Sequence, residues 1–225
     1  MKKFNLLKDY PKTKVKRIAN SKTRTIKERI VSSYRDINLY DGSRKYGYGG
    51  FVYDGRWKII AKKICKRYKL NNNSKILQLG CEKGFLLNDI QEIYPKISIV
   101  GVDMSKYAIQ NSLKSVRNYL RYGSYTKLSF KKNEFDFVIA LGVVYALNLS
   151  DAISCLKEII RVSKNKSFIN LSSYKTKRDY WLFKNWTLLG TTLLKENEWR
   201  TVLKHVNYKG DYYFTNSGTL QLKER

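Results

Sequence analysis

Lys75-Ile76-Leu77-Gln78-Leu79-Gly80-Cys81-Glu82-Lys83-Gly84-Phe85 is a short apolar run that breaks at two glycines and resumes as an apolar, helix-compatible segment. The pattern predicts a buried strand, a tight turn and a helix, the place where a nucleotide-like cofactor sits in an α/β sheet. A glycine turn alone is a weak signal, because many such proteins carry one only for packing. What lies on either side decides its meaning.

Downstream, strands and helices alternate. Strands are predicted over residues 76–79, 97–102, 121–125, 135–141 and 167–171. Helices are predicted over 85–94, 105–120 and 151–162, with Ser105 capping the second and Ser150 or Asp151 the third. Continuous β-rich apolar runs between amphipathic helices predict a parallel sheet covered on both faces. Beyond it come an aromatic-rich segment over 180–194 and a helix over 196–208. Residues 211–215 and 219–222 then flank Asn216-Ser217-Gly218, which predicts an antiparallel pair.

Upstream, residues 1–35 are rich in lysine and arginine and poor in large apolar side chains, which predicts a mobile or loosely helical basic arm. Residues 36–70 form a tyrosine- and glycine-rich lid followed by a cap helix from about Arg56 to Lys69. Trp57, Ile60, Ala61, Ile64, Cys65 and Tyr68 recur there at helical spacing. Residues 71–225 form the α/β domain.

Composition narrows the function. The 225-residue chain carries a formal charge of +27, which points to nucleic acid, an anionic surface or phosphorylated substrates. The basic residues are spread through a lysine-, asparagine- and isoleucine-rich chain, so compositional drift accounts for the charge equally well. Three cysteines, Cys65, Cys81 and Cys155, are too far apart for a disulfide framework or zinc ribbon and suit a reducing compartment. A single histidine, His205, and the absence of paired metal-ligand motifs predict no metal. The longest apolar run falls short of the roughly 20 residues of a membrane span, and no signal-peptide pattern opens the chain. A cytoplasmic protein without an integral membrane segment is expected, its oligomeric state unread.

The second strand ends in Val100-Gly101-Val102-Asp103, about twenty residues past the glycine turn, where a dinucleotide-type fold places an acid on ribose hydroxyls. A carboxylate can accept hydrogen bonds from both vicinal hydroxyls, and such charge-assisted bonds are strong.

With these residues in place the chain resembles the class I S-adenosylmethionine-dependent methyltransferases. The resemblance is carried by residues 76–84, by Val100-Gly101-Val102-Asp103 and by Phe135-Asp136-Phe137-Val138-Ile139-Ala140-Leu141, and it spans about residues 71–222. It implies a Rossmann-like seven-stranded methyltransferase sheet, mostly parallel with a C-terminal antiparallel strand, helices on both faces and an N-terminal helical and loop cap. It also implies S-adenosyl-L-methionine as cofactor. Carried over, Gly80 and Gly84 admit the methionine part, with Cys81 contributing its main chain. Asp103 holds the ribose, Met104 packs on adenine, Ser124 and Tyr125 lie at its edge, and Ala140 and Leu141 line the floor. Gln78, where an acid is common, offers the cofactor ammonium an acceptor without charge. Glu82 stands where a second glycine is usual, which implies a different turn geometry. Ser124 stands in place of an acid or amide, and Tyr145 in place of a frequent histidine.

Tyr145, just beyond the fourth strand, is the candidate catalytic residue that orients the acceptor. It is a poor base, with an ordinary pKa near 10. Tyr46, Tyr48, Tyr53, Arg56 and Trp57 are candidate substrate contacts, and Arg44, Lys45 and Arg56 suit a phosphate. The Tyr-Gly-Tyr-Gly-Gly lid resembles that of small methyltransferases of bacterial capsule and surface-carbohydrate pathways. The expected function is O-methylation of a small polar or phosphorylated precursor, of sugar, nucleotide-linked or phosphoramidate type, of a bacterial capsule or surface polysaccharide. An RNA methyltransferase using the basic surface and a non-catalytic methyltransferase-fold scaffold are the alternatives.

Overall fold

The computed structural model describes residues 1–12 and 15–224. Thr13 and Lys14 of the basic arm, and Arg225 at the end of the expected 71–225 domain, lie outside the described residues. In chain order the elements are β1 (Arg17–Ile18), α1 (Ile26–Ser33), α2 (Ile37–Tyr40), α3 (Lys58–Tyr68), β2 (Lys75–Leu79), α4 (Phe85–Ile93), β3 (Ser98–Asp103) and α5 (Lys106–Gln110). There follow β4 (Leu120–Tyr122), β5 (Phe137–Ala140), α6 (Leu149–Val162), β6 (Ser167–Tyr174), α7 (Lys177–Trp186), β7 (Leu194–Lys195), α8 (Glu196–His205), β8 (Asp211–Thr215) and β9 (Leu222–Lys223).

Seven strands form the main sheet in the order β4-β3-β2-β5-β6, with β7 and β8 both pairing with β6. Side chains alternate across it as the period of two requires. Leu77 and Leu79 join α6 and α8 in one core containing Cys155, Ile159, Trp199 and Leu203. Ile76 and Phe137 join α3 and α4 in another containing Ile60, Ile64, Leu87 and Ile90. Helices therefore cover both faces, as expected of this α/β class.

The closing antiparallel strand is not present: β8 pairs with β6 in parallel, Phe168 opposite Asp211 through Ser172 opposite Thr215. The physical reason is the connection. Helix α8 intervenes between β6 and β8 and carries the chain back to the starting edge, as a crossover between parallel strands does. The second half of the expected hairpin also goes elsewhere. Residues 216–222 form a hydrogen-bonded turn with Gln221 at φ +55, and β9 leaves to pair in parallel with β1.

Other boundaries differ as well, among them the expected strand over 121–125, which is Leu120–Tyr122, and the helix over 196–208, which ends at His205. The helix expected over 105–120 ends at Gln110, where Asn111 and Ser112 turn their side chains onto the Tyr107 and Ile109 carbonyls and compete with helical bonding. Helix α6 begins at Leu149, capped by Asn148, whose side chain accepts from Asp151 N.

The described residues of the arm, 1–12 and 15–35, are packed against the domain and are not the mobile or loosely helical segment expected. Leu6 and Ala19 are fully buried, Lys3 bridges in parallel to Tyr212, and α1 carries a complete Thr25–Glu28 capping box. No helix is long and apolar enough to cross a membrane among the described residues.

Candidate active site

Strands β2, β3 and β5 end together at the carboxyl edge of the sheet and deliver Gly80, Asp103 and Leu141 to one cavity of about 200 Å³. Glu82 and Tyr125 complete its floor, and Gly142, Val143, Tyr145 and Ala146 form one wall. Arg35, Leu39, Tyr40, Tyr48 and Phe51, with Leu189 and Gly190, close it from above.

The turn is built by three left-handed residues, Gly80 at φ +68, Glu82 at φ +50 and Gly84 at φ +80. Gly80 has no room for a side chain, since a Cβ there would stand 2.5 Å from Val143 Cγ2. Asp103 clamps the turn from β3: its Oδ2 accepts from Glu82 N and its Oδ1 from Ser105 N, both at 2.8 Å. It is only 2 % exposed. Burial raises its carboxyl above the ordinary range, with the two backbone donors and the Arg35 charge opposing.

The Glu82 side chain turns into the cavity and has no hydrogen-bond or ion-pair partner among the described residues. Enclosure by protein, and then the Asp103 charge, push its carboxyl up to about 8. Glu82 keeps solvent-exposed surface, although Lys83 beside it and Asp103 opposite are buried. Tyr145 lines the opposite wall, and burial pushes its hydroxyl well above the ordinary tyrosine range. That disposes it to donate a hydrogen bond rather than to take a proton.

The cover is tied down by polar staples. Lys83 Nζ, mostly buried, pairs with Asp41 at 2.6 Å, joining the end of α2 to the glycine turn, and Tyr107 Oη donates to the same carboxylate at 2.7 Å. Arg24 donates to the Arg44, Lys45 and Gly47 carbonyls. Arg29 reaches the carbonyls of Lys184, Asn185 and Thr187 and so binds α1 to the end of α7. The Tyr48 hydroxyl accepts from Leu188 N and Leu189 N at 2.6 and 3.0 Å, drawing the two halves of the cover together.

The structure brings together Gly80, Glu82, Asp103, Tyr125, Leu141, Tyr145 and Tyr48 from the sequence-derived set. Gln78 lies on β2 just below, with its Nε2 3.4 Å from Gly80 O and its buried Oε1 without a partner. The remaining candidates lie off the lining. Cys81 is buried against Gly101, and a Cβ on Gly84 would meet Val116 Cγ2 at 2.6 Å. Met104 is 38 % exposed, Ser124 bonds Thr126, and Ala140 is buried at the end of β5. Tyr46 stacks with Lys45, Tyr53 donates to Asp89 at 2.6 Å, Arg56 pairs with Asp54, and Trp57 packs on Tyr10. His205 is exposed on α8. Absent from the sequence-derived set are Arg35, Leu39, Tyr40 and Phe51 of the cover, Gly142, Val143 and Ala146 of the wall, and Leu189 and Gly190. Tyr40 and Phe51 flank the lid loop that drew attention, but nothing local marks Leu189-Gly190 as neighbours of β5.

A methyltransferase-domain family model matches residues 70–216, well over half of the chain. The chain belongs to this methyltransferase family. An uncharacterised protein of Rickettsia prowazekii is 37% identical over 78 residues, which are 32% of this chain and 14% of that protein. A malonyl-[acyl-carrier protein] O-methyltransferase of Bacillus anthracis is 26% identical over 98 residues, 43% of this chain and 34% of that enzyme. The chain thus spans well under two thirds of the length of either curated relative. The crystal structure of the YcgJ protein of Bacillus subtilis shares the fold, with a TM-score of 0.53, 15% identity, and coverage of 65% of this chain and 66% of that one.

The methyl donor of this family is S-adenosylmethionine. The residues present fit such a group chemically. Asp103 stands at the end of β3, Gly80 leaves the backbone bare, and Gln78 Oε1 is an orphaned acceptor. The cavity, at about 200 Å³, is smaller than the roughly 300–1,000 Å³ of sites for drug-sized ligands. Among the described residues no cluster of histidine, cysteine or acidic side chains could hold a metal ion.

Proposed function

We propose that the protein O-methylates a small polar acceptor, a sugar-linked, nucleotide-linked or phosphorylated precursor of the kind that feeds a bacterial capsule or surface polysaccharide, in the cytoplasm. The observation that carries this reading is the roofed cavity, with Tyr40, Tyr48 and Phe51 closed over Gly80 and Asp103. A site enclosed in this way suits an acceptor small enough to be covered, and covering excludes water from the reacting atoms.

S-adenosylmethionine, when bound, supplies an electrophilic methyl on a sulfonium. In this reading Asp103 holds the ribose hydroxyls, the Gly80 backbone permits close approach, and Tyr125 and Leu141 pack the adenosyl group. Methyl transfer gains chiefly from alignment, so positioning is the principal task of these residues. The Tyr145 hydroxyl, free at the wall of the cavity, orients the acceptor. Arg35 supplies the cationic side chain of the lining, suited to an acceptor phosphate.

The test is incubation of the protein with methyl-labelled cofactor and a panel of cytidine- and uridine-linked sugars, sugar phosphates and bulk RNA. Label in a small molecule supports the reading. Label in RNA alone overturns it in favour of the second reading, which the +27 charge favours. Absence of cofactor binding leaves a scaffold.

A further inference from the structure

Two independent observations bear on Glu82. Its backbone lies at φ +50, where a side chain is strained, whereas Gly80 and Gly84 beside it meet the same demand without one. Its carboxylate projects into the cavity with no donor to receive. Strain of this kind concentrates where binding makes use of it.

The charges around Glu82 explain what it awaits. Asp103 on β3 adds a second carboxylate, already engaged by two backbone donors. Two cations act on Glu82: Lys83, committed to Asp41, and Arg35, from the segment after α1. The neighbouring titratable groups are the hydroxyls of Tyr40 on α2, Tyr145 beyond β5 and Tyr10 near the N-terminus, with the Cys81 thiol, all ordinarily neutral near pH 7. Once Glu82 gives up its proton the lining carries two carboxylates against one guanidinium and demands a further positive charge. Gln78 beneath it is neutral and cannot meet that demand.

We propose that Glu82 is the carboxylate that pairs with the positive charge of the cofactor, and that cofactor binding releases a proton from it. This rests on the reading of the cavity as the cofactor site. S-adenosylmethionine is cationic at its sulfonium and its α-ammonium, whereas S-adenosylhomocysteine keeps the ammonium alone. Either centre offers the shared chemistry, a compact cation desolvated beside a carboxylate, and the two ligands separate them.

The experiment is calorimetry of the full chain and of Glu82→Gln with both ligands from pH 6 to 8.5, in buffers of different ionisation enthalpy, with circular dichroism confirming the fold. The ligands' α-amino groups titrate in the same range, so the difference between the two proteins is what is read. The wild-type affinity for S-adenosylmethionine should exceed that of Glu82→Gln at pH 8 by roughly tenfold or more. Relative to the variant it should rise by up to about tenfold per pH unit below pH 8 and then level, with up to about one proton released. Loss confined to S-adenosylmethionine assigns the sulfonium, and loss with both ligands assigns the ammonium. Glu82→Gly, which relieves the backbone strain, should fold and show the same loss. Equal affinities and pH slopes in all three proteins would overturn the role of Glu82 and leave the cofactor site standing. No binding to the wild type would overturn the cofactor reading, and this inference with it.

Discussion

Asp103 holds two backbone N–H groups in place from a position almost sealed from water. Removing its side chain strands both donors, so Asp103→Ala should cost about 2–4 kcal/mol in urea denaturation as well as weakening cofactor binding. Gly84 makes a different demand. A methyl group there meets Val116 while the backbone stays at φ +80, so Gly84→Ala should cost about 2–4 kcal/mol, again read by urea, without touching the cavity. Glu82 sets a pH dependence. Its folded-state pKa of about 8 lies above the unfolded value, so between roughly pH 4.5 and 8 the folded state holds a proton that the unfolded state has lost. Its contribution is fully present below that window and is lost as pH rises through it. Melting curves across pH 5 to 8 should therefore fall less steeply in Glu82→Gln than in the wild type. Residues of this kind were legible in part. The glycine spacing and the acid twenty residues on were readable because turn and strand chemistry are local. The exchange of a glycine for Glu82 was visible as a departure, but its direction into the cavity depends on tertiary contacts.

Among the elements, the cover shows how a tyrosine-rich loop becomes part of a site. The loop around Tyr46-Gly47-Tyr48 was readable as ordered and ligand-facing, and Tyr48 does reach the cavity. Tyr46 and Tyr53 do not, because Tyr53 finds acceptors on α4 and Tyr46 lies beside Lys45. Sequence spacing cannot say which hydroxyl will be claimed by a neighbouring helix. The same reason hid the parallel course of β8. The strand itself was readable from its β-rich pattern, but its direction depends on where α8 sets the chain down, a long-range matter. The staple between Lys83 and Asp41 yields a prediction at this scale. Lys83→Met should loosen α2, measurable as faster amide exchange there and weaker cofactor binding, for a global loss of only about 1 kcal/mol, since Asp41 is partly exposed.

For the whole molecule, the +27 charge sets a background of self-repulsion that the ion pairs relieve only locally. Added salt should therefore raise the melting temperature between about 0.01 and 0.3 M, the range in which screening shortens to below roughly 10 Å. A fold dependent chiefly on its surface pairs would show the opposite trend. The N-terminal segment adds to this account. Phe4 N donates to Tyr212 O, Lys2 N to Asp211 Oδ1, and Leu6 is sealed beneath.

That docking also governs when the molecule can be completed. Residues near the start of the chain pair with β8, and β1 pairs with β9, so the last contacts join segments separated by almost the whole sequence. During synthesis the central strands can assemble early, but the edge at β8 stays open until residues 211–223 have left the ribosome. Until then an uncovered strand edge on a strongly basic nascent chain lies within reach of other chains and of ribosomal RNA. Slow translation of residues 211–223 should lower the soluble yield more than the same delay placed within residues 75–140.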